Sequence, residues 1–143
     1  MPPALTPVLA LEYVRELSAD VRAGLVLDAA GDLLAGPSPL AELGRSFLAA
    51  GDASELEAAT ADGVVCAVRT SGHAAIAICG RFAIPGVVRQ DLRAALAALE
   101  GRSPDAGQGD PQPAPAPLSD EPEPALMSAA NRLISAVQRH SEA

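Results

Sequence analysis

The sequence contains no lysine and no tryptophan, and its only aromatic residues are one tyrosine and two phenylalanines. All ten basic residues are therefore arginines, set against eighteen acidic residues, for a formal net charge of −8. Such a chain can assemble neither a basic face that neutralises phosphates nor an aromatic platform that stacks bases. We expect no nucleic acid among its partners.

Long apolar runs are also missing. No stretch approaches the ~18 apolar residues of a membrane-spanning helix, and the start, Met-Pro-Pro-Ala-Leu-Thr-Pro, lacks the regions of a signal peptide. We expect a cytoplasmic protein that does not bind membranes. The absence of lysine, together with abundant alanine, arginine, glycine and proline, indicates a GC-rich bacterial genome.

Motifs for chemistry are absent as well. The sequence has no phosphate-binding loop and no dinucleotide fingerprint, so the chain is not itself expected to be a GTPase. Cys66 and Cys79 lack a Cys-x-x-Cys spacing, and the two histidines lie far apart, which argues against a metal site. Arg69, Arg81 and Asp62 near strand ends form either a small-ligand site or solvated loop charges. We predict no enzyme, no catalytic residue and no cofactor.

Composition divides the chain into three parts. Residues 101–122 hold six of the thirteen prolines and several acidic residues, and they contain almost nothing to bury. This segment is predicted to be an extended, mobile tether. We therefore expect a domain at residues 1–101, an acidic proline-rich linker at 102–122 and an amphipathic helix at 123–140.

A helix and a hairpin are predicted at the start of the domain. Thr6 followed by Pro7 is typical of a helix start. An apolar stripe at helical spacing follows, formed by Ala10, Tyr13, Val14, Leu17 and Val21. Next comes a hairpin, with strands at 23–28 and 33–35 and a turn at 29–32 in which Gly31 adopts positive φ.

Ser38-Pro39 repeats the cap-and-proline start, and it begins a second helix with the stripe Leu40, Leu43, Gly44, Phe47 and Leu48. Three strands follow, at 54–60, 64–70 and 73–79. The last two are apolar at nearly every position, which places helices on both faces of the sheet. A third helix begins at Pro85, with the stripe Val88, Leu92, Ala95, Leu96 and Leu99, and ends near Gly101. The predicted class is α+β, with a five-stranded antiparallel sheet in the order α-β-β-α-β-β-β-α.

The cysteines are predicted to be reduced. If Ser71-Gly72 is a two-residue turn, Cys66 faces Ala77 and Cys79 faces Val64, so the cysteines are diagonal neighbours. Their Cβ atoms then lie farther apart than the roughly 3.5–4.5 Å of a disulfide.

The element order, the hairpin at 25–34 with its Asp28-x-x-Gly31 turn and the long hairpin at 64–79 resemble the Roadblock/dynein light chain family, over residues 7 to about 101. The resemblance implies a profilin-like fold and a non-enzymatic homodimer whose sheet and second helix meet a twin. It also implies a platform for Ras-like small GTPases or transport complexes, and in bacteria a regulator of a small GTPase. The dimer interface implied here is Leu40, Leu43, Phe47, Leu56 and Ala58.

Two points bear on that interpretation. Related folds bind small molecules between sheet and helices, so a sensor that uses this crevice is the alternative function. In addition, Glu55 and Glu57 lie on one face of the strand expected to pair across the dimer axis, where like charges cost stability. We expect these glutamates to splay outward or to be neutralised by Arg45.

The C-terminal segment carries an apolar stripe opposite a polar face of Ser128, Arg132, Ser135 and Arg139. Folding back onto its own domain or onto a dimer mate is the favoured interpretation. Binding to another protein and binding to a membrane surface are the alternatives. The predicted docking residues are Leu126, Ala130, Leu133, Ile134 and Val137.

Overall fold

Helices cover both faces of a five-stranded sheet in the computed structural model, which describes residues 6–17, 20–51, 54–70, 72–100 and 124–141. The predicted linker at 102–122 lies outside the described residues. The elements are α1 (Pro7–Leu17), β1 (Val21–Asp28), β2 (Leu33–Ala35), a 3-10 turn (Ser38–Leu40), α2 (Ala41–Ala49), β3 (Glu55–Ala59), β4 (Val64–Arg69), β5 (His73–Cys79), α3 (Pro85–Leu99) and α4 (Pro124–Ser141). The predicted α+β class and element order are confirmed.

The strands follow the order β2-β1-β5-β4-β3, and every neighbouring pair is antiparallel. In the part of the chain that the structure describes, β2 and β3 are therefore the two edges. Cys66 pairs with Ala77 and Val64 pairs with Cys79, which confirms the predicted register of the long hairpin.

The start of α1 is capped as predicted, because the Thr6 hydroxyl accepts a hydrogen bond from the Leu9 amide at 3.2 Å. The predicted stripe is partly wrong. Only Ala10 and Val14 are buried in α1, whereas Tyr13 and Leu17 are exposed, and Val21 belongs to β1. A helix that lies flat on a sheet buries a narrow stripe, so the flanking apolar residues stay in solvent.

The turn between β1 and β2 forms as predicted. Asp28 Oδ1 accepts hydrogen bonds from the amides of Ala30 and Asp32, both at 2.9 Å. Gly31 has φ of 91°, a conformation that favours glycine. Arg45 of α2 donates to the Gly31 carbonyl at 3.0 Å, which ties this turn to the helix.

The second helix begins differently from the prediction. Ser38 starts a 3-10 turn whose N-cap is Pro37, and no side chain caps it. The helix then lies close to the sheet, since a Cβ on Gly44 would come within 2.7 Å of Leu25 Cδ1 and 3.0 Å of Ile76 Cδ1. Glycine at this position therefore lets α2 approach β1 and β5.

The core has two halves, one on each face of the sheet. On one face α1 and α3 pack over alternate strand residues, with Val14, Val88 and Leu92 among the buried side chains. On the other face α2 and α4 pack over the remaining strand residues, including Leu25, Val65 and Ile76. No helix among the described residues is long and apolar enough to span a membrane.

Candidate interaction surface

Helix α4 packs against α2 and against β3, β4 and β5. Beneath it lies a surface that we call the α4-covered surface, made of Leu40, Phe47, Leu56 and Ala58, all of them buried. Leu43 is partly buried beside this cluster. The structure of one chain therefore covers, with its own helix, four of the five residues that the resemblance implies for a dimer interface.

The inner face of α4 is apolar. Ala130, Leu133, Ile134 and Val137 are buried in the core on this side of the sheet, and Leu126 is partly buried against it. Ala129 is also buried there and was missed from the sequence. Its position four residues before Leu133 was the available signal, because residues spaced by four lie on one helix face.

The outer face of α4 is polar and borders an open cleft of about 770 Å³ between α2 and α4. The residues that line it are Leu43, Pro124, Met127, Ser128, Asn131, Arg132, Ser135 and Arg139. This cleft lies at the surface rather than in the crevice between sheet and helices that a small-molecule sensor would use. Where α2 and α4 meet the sheet, Phe47, Leu25 and Leu133 are fully buried at 0% exposure.

On the side of the sheet covered by α1 and α3, several large apolar side chains are exposed. Phe82 is 75% exposed and Ile84 66% exposed, both in the segment that joins β5 to α3. The Gly80 amide donates to the Asp20 carbonyl at 2.9 Å, which brings this segment beside the chain that leaves α1. We call the exposed group the α1–α3 patch, and it comprises Val8, Leu9, Tyr13, Leu17, Phe82, Ile84 and Val87.

The α1–α3 patch was not predicted. The sequence offered one signal, which is two large apolar residues just before Pro85 in a connection between a strand and a helix. Arg81 places its guanidinium 4.8 Å from the centre of the Phe82 ring, and this contact orients the ring at the surface. Large apolar side chains exposed on one side of a protein are candidates for a protein–protein contact.

The charged pair on β3 is neutralised, although not as predicted. Arg89 contacts Glu55 at 3.2 Å and Glu57 at 3.6 Å, and Arg93 contacts Glu55 at 3.4 Å. Arg45 instead binds the Gly31 carbonyl, so its assignment to the glutamates was wrong. Both glutamates point to the α3 face, because side chains alternate along a strand and Leu56 and Ala58 face α4.

The possible small-ligand site at Arg69, Arg81 and Asp62 does not assemble. Arg69 lies at the end of β4, about 20 Å along the strand from the turn that holds Asp62. Its guanidinium donates to the carbonyls of Leu48 and Gly51 at 2.8 and 2.7 Å. This arginine therefore binds backbone carbonyls at the end of α2.

A polar cluster fastens the β4–β5 hairpin to the end of α3. The Thr70 hydroxyl contacts Glu100 at 2.7 Å, and His73 Nδ1 lies 2.9 Å from the same carboxylate oxygen. Thr70 also accepts hydrogen bonds from the amides of Gly72 and His73, which shapes the turn. Among the described residues, no three histidine, cysteine or acidic side chains lie close enough to hold a metal ion.

The two thiols are free and buried on the face under α1 and α3. Burial raises the pKa of Cys66 and of Cys79 to about 12. Only the thiolate is a good nucleophile or metal ligand, so these cysteines are chemically inert at neutral pH. Their place in the core is one of packing.

Comparison with known proteins gives a result for the fold. No protein-family model and no curated protein matches the sequence. A crystal structure of a Roadblock/LC7 domain from Streptomyces avermitilis matches with a TM-score of 0.53 at 14% identity, over 69% of this chain and 97% of that chain. A second Roadblock/LC7 domain structure from the same species matches with a TM-score of 0.52 at 14% identity, over 62% and 92%.

A structure of MglB with a tetrameric arrangement is also similar, with a TM-score of 0.52 at 18% identity, over 68% of this chain and 88% of that chain. The match includes 88–97% of each of these structures, whereas about a third of this chain has no counterpart in them. These structures have the fold that the element order of the sequence predicted, although they are only 14–18% identical to this chain. This chain has the Roadblock/LC7 fold.

Proposed function

We propose that the chain is a non-enzymatic scaffold or regulator that acts on a Ras-like small GTPase and works as a cytoplasmic homodimer in a bacterium. The observation that carries the proposal is the Roadblock/LC7 fold, reached both from the element order and from the solved structures. Similarity to MglB, which has a tetrameric arrangement, supports assembly of more than one copy.

The chemistry of the described residues supports a binding role over catalysis. The cysteines are buried and protonated, Arg69 binds backbone carbonyls, and His73 shares Glu100 with Thr70. These polar groups hold the fold together. Because these polar groups are engaged within the fold, we look to the surface of the described residues for contacts with other molecules.

The α1–α3 patch is our candidate for the contact with the GTPase. Its exposed aromatic and aliphatic side chains are the kind that anchor protein interfaces. The β5–α3 segment presents Phe82 and Ile84 outward from a connection whose two ends are fixed by strand pairing and by the start of α3. A fixed connection presents such side chains with little loss of conformational freedom on binding.

The test uses purified Ras-like GTPases of the source genome, beginning with any that is encoded beside this gene, each bound to GDP or to a GTP analogue. Titration calorimetry should show binding that depends on the nucleotide, and the rate of nucleotide release or GTP hydrolysis should change. Phe82→Asp should weaken binding at least about tenfold, because a carboxylate is costly to desolvate in an apolar contact.

Gln90→Glu, at an exposed position of α3, is the matched control and should bind like the wild type. Absence of binding in both nucleotide states would contradict the proposed function. If Phe82→Asp binds as tightly as the wild type, the GTPase contact does not lie at the α1–α3 patch.

A further inference from the structure

The outer face of α4 carries two exposed arginines, Arg132 and Arg139, that line the cleft between α2 and α4. Neither of them forms an ion pair within the part of the chain that the structure describes. Several arginines of the domain, in contrast, bind carbonyl or carboxylate oxygens of other elements: Arg45, Arg69, Arg89 and Arg93. The cleft is therefore lined by uncompensated positive charge, in a chain whose net charge is −8.

The cleft follows one side of α4 and is long rather than round. Its lining begins at Pro124 and ends at Arg139, a rise of about 22 Å along the helix axis. Arg132 and Arg139 are about 10 Å apart along that axis. Leu43 of α2 and Met127 of α4, both half-buried, add apolar surface, and none of the lining residues is acidic. Such a cleft suits an extended segment with acidic residues and an apolar side chain.

We propose that the cleft is occupied by this chain's own residues 118–123, which directly precede α4. Their sequence, Leu-Ser-Asp-Glu-Pro-Glu, holds three acidic residues and no basic one. Leu118 is also the only large apolar residue in the sequence between 101 and 123. The segment thus supplies negative charge for the two arginines and an apolar side chain for Leu43 and Met127.

The segment is long enough to reach the first arginine. The Cα atom of Arg132 lies about 12 Å along the helix axis from that of Pro124. Four extended residues, from Pro124 back to Asp120, span up to about 13–14 Å. Side chains on a helix also lean toward its N-terminus, which shortens the distance that the segment has to cover. Asp120 or Glu121 can therefore pair with Arg132, and Leu118 can reach the apolar part of the cleft.

Direct attachment to α4 makes a weak contact sufficient. Exposed ion pairs contribute little individually. A segment joined to the helix that it contacts, however, acts at an effective concentration on the order of millimolar. Its acidic residues also lie next to the positive end of the dipole of α4. Because Leu43 belongs to α2, a segment in the cleft contacts both helices and helps to hold α4 on the sheet.

The test places a nitroxide spin label at residue 119 of the full chain, through Ser119→Cys, and measures the broadening of amide signals by NMR. Cys66 and Cys79 are buried, and burial raises the pKa of each thiol to about 12. Only the new thiol therefore reacts with the label at neutral pH.

The label should broaden the amide signals of Leu43 and Ser135, one on each side of the cleft. Arg132→Gln should reduce this broadening at least about twofold, and so should about 0.5 M salt, which screens exposed charges. Arg15→Gln is the matched control, since it removes the same charge from an exposed position of α1. This control should leave the broadening as it is in the wild type.

A double-mutant cycle separates the pairing from the effect of the helix dipole. Hydrogen exchange of the α4 amides is measured in the wild type, in Arg132→Gln, in Asp120→Asn with Glu121→Gln, and in the combination of all three changes. Each partial variant should exchange about two to three times faster than the wild type. The combination should exchange no faster than the faster partial variant, because both remove the same contact.

The inference is overturned if the broadening at Leu43 is equal in the wild type and in Arg132→Gln, or if the effects in the exchange cycle add. Inorganic phosphate is the probe for another occupant. Equal shifts of the Arg132 and Arg139 amide signals on adding phosphate, with and without the acidic residues of the segment, would show that the segment does not occupy the cleft. These measurements use no GTPase, so their outcome is independent of the proposed function.

Discussion

The helices that cover the two faces of the sheet differ in how far they lie from the strands along the sequence. On one face α1 and α3 directly adjoin the strands that they cover, α1 before β1 and α3 after β5. On the other face α2 also lies within the run of strands, but α4 arrives from beyond residues 101–123. The first face leaves large apolar side chains exposed at its surface, whereas on the second the large apolar side chains of the described residues are buried or half-buried.

The two faces therefore differ in how much of their apolar surface is exposed to solvent. The side chains of the α1–α3 patch are exposed in a single chain. The residues of the α4-covered surface are part of the core while α4 lies over them.

The largest expected effect is on the free energy of unfolding, when one buried leucine is truncated on each face of the sheet. Leu92→Ala, in α3, should lower the free energy of unfolding of the chain by about 2–5 kcal/mol, because it leaves a cavity at a fully buried site. Leu133→Ala removes an equally buried side chain. We expect it to weaken α4 docking while the unfolding midpoint of the rest of the domain changes little.

Urea denaturation followed by circular dichroism, with tyrosine fluorescence from Tyr13 on α1, measures both variants. The Tyr13 signal reports the α1–α3 face and the dichroism reports all helices. Equal losses in both signals for Leu133→Ala would show that α4 unfolds together with the sheet, and the distinction between the two faces would be lost.

The second prediction concerns the ion pairs between the arginines of α3 and the glutamates of the edge strand β3. Arg89→Met removes the guanidinium that contacts both Glu55 and Glu57, and Glu55 is only 16% exposed. We expect a loss of about 1–2 kcal/mol, since a partly buried carboxylate loses a charged hydrogen bond. Arg93→Met, at a more exposed arginine, should cost less than about 1 kcal/mol.

Urea titrations at low and high salt measure both variants. Screening should shrink the Arg93→Met effect more than the Arg89→Met effect, because the latter pair is less exposed to solvent. Identical losses with identical salt dependence would show that Glu55 is solvated and that α3 does not neutralise the edge strand.

The smallest expected effect concerns Asp91 of α3. One of its carboxylate oxygens is buried without a hydrogen-bond partner among the described residues, and burial raises the pKa of this carboxyl. An acid whose pKa is higher in the folded than in the unfolded state destabilises the fold once it ionises, so stability falls as pH rises through that pKa.

Asp91→Asn should therefore stabilise the chain slightly at neutral pH, a small gain because the side chain is half-buried rather than fully buried. The advantage should vanish below the carboxyl pKa, where the wild type is uncharged as well. Thermal melts at pH 7 and at acidic pH provide the measurement. A variant that is less stable at pH 7 would indicate that the carboxylate has a favourable role.

The order of elements was predictable because caps, prolines, turn glycines and apolar periods are local signals. Thr6, Gly31 and Pro85 each mark a boundary that the structure confirms. The register of β4 and β5 followed from the two-residue turn alone. Helix starts, turns and the hairpin register depend on residues that are close together in the chain, so they can be inferred from one sequence.

Contacts between distant segments were harder to predict. The pairing of Glu55 with Arg89 joins residues 34 positions apart, and nothing local distinguishes Arg89 from Arg45 as a partner. The exposure of Tyr13 and Leu17 depends on how α1 lies on the sheet, which its periodicity does not encode. The place of α4 over β3 likewise depends on tertiary packing.

Native-state hydrogen exchange of the full wild-type chain tests the central claim most directly, because it measures the opening free energy of α4 separately from that of the sheet. We predict that amides of residues 126–139 are protected, and that they open at a clearly lower free energy than the amides of β4 and β5. Opening of α4 at the same free energy as those strands would make it an inseparable part of the core. Absence of protection would mean that α4 does not cover the surface, and either result would contradict the account.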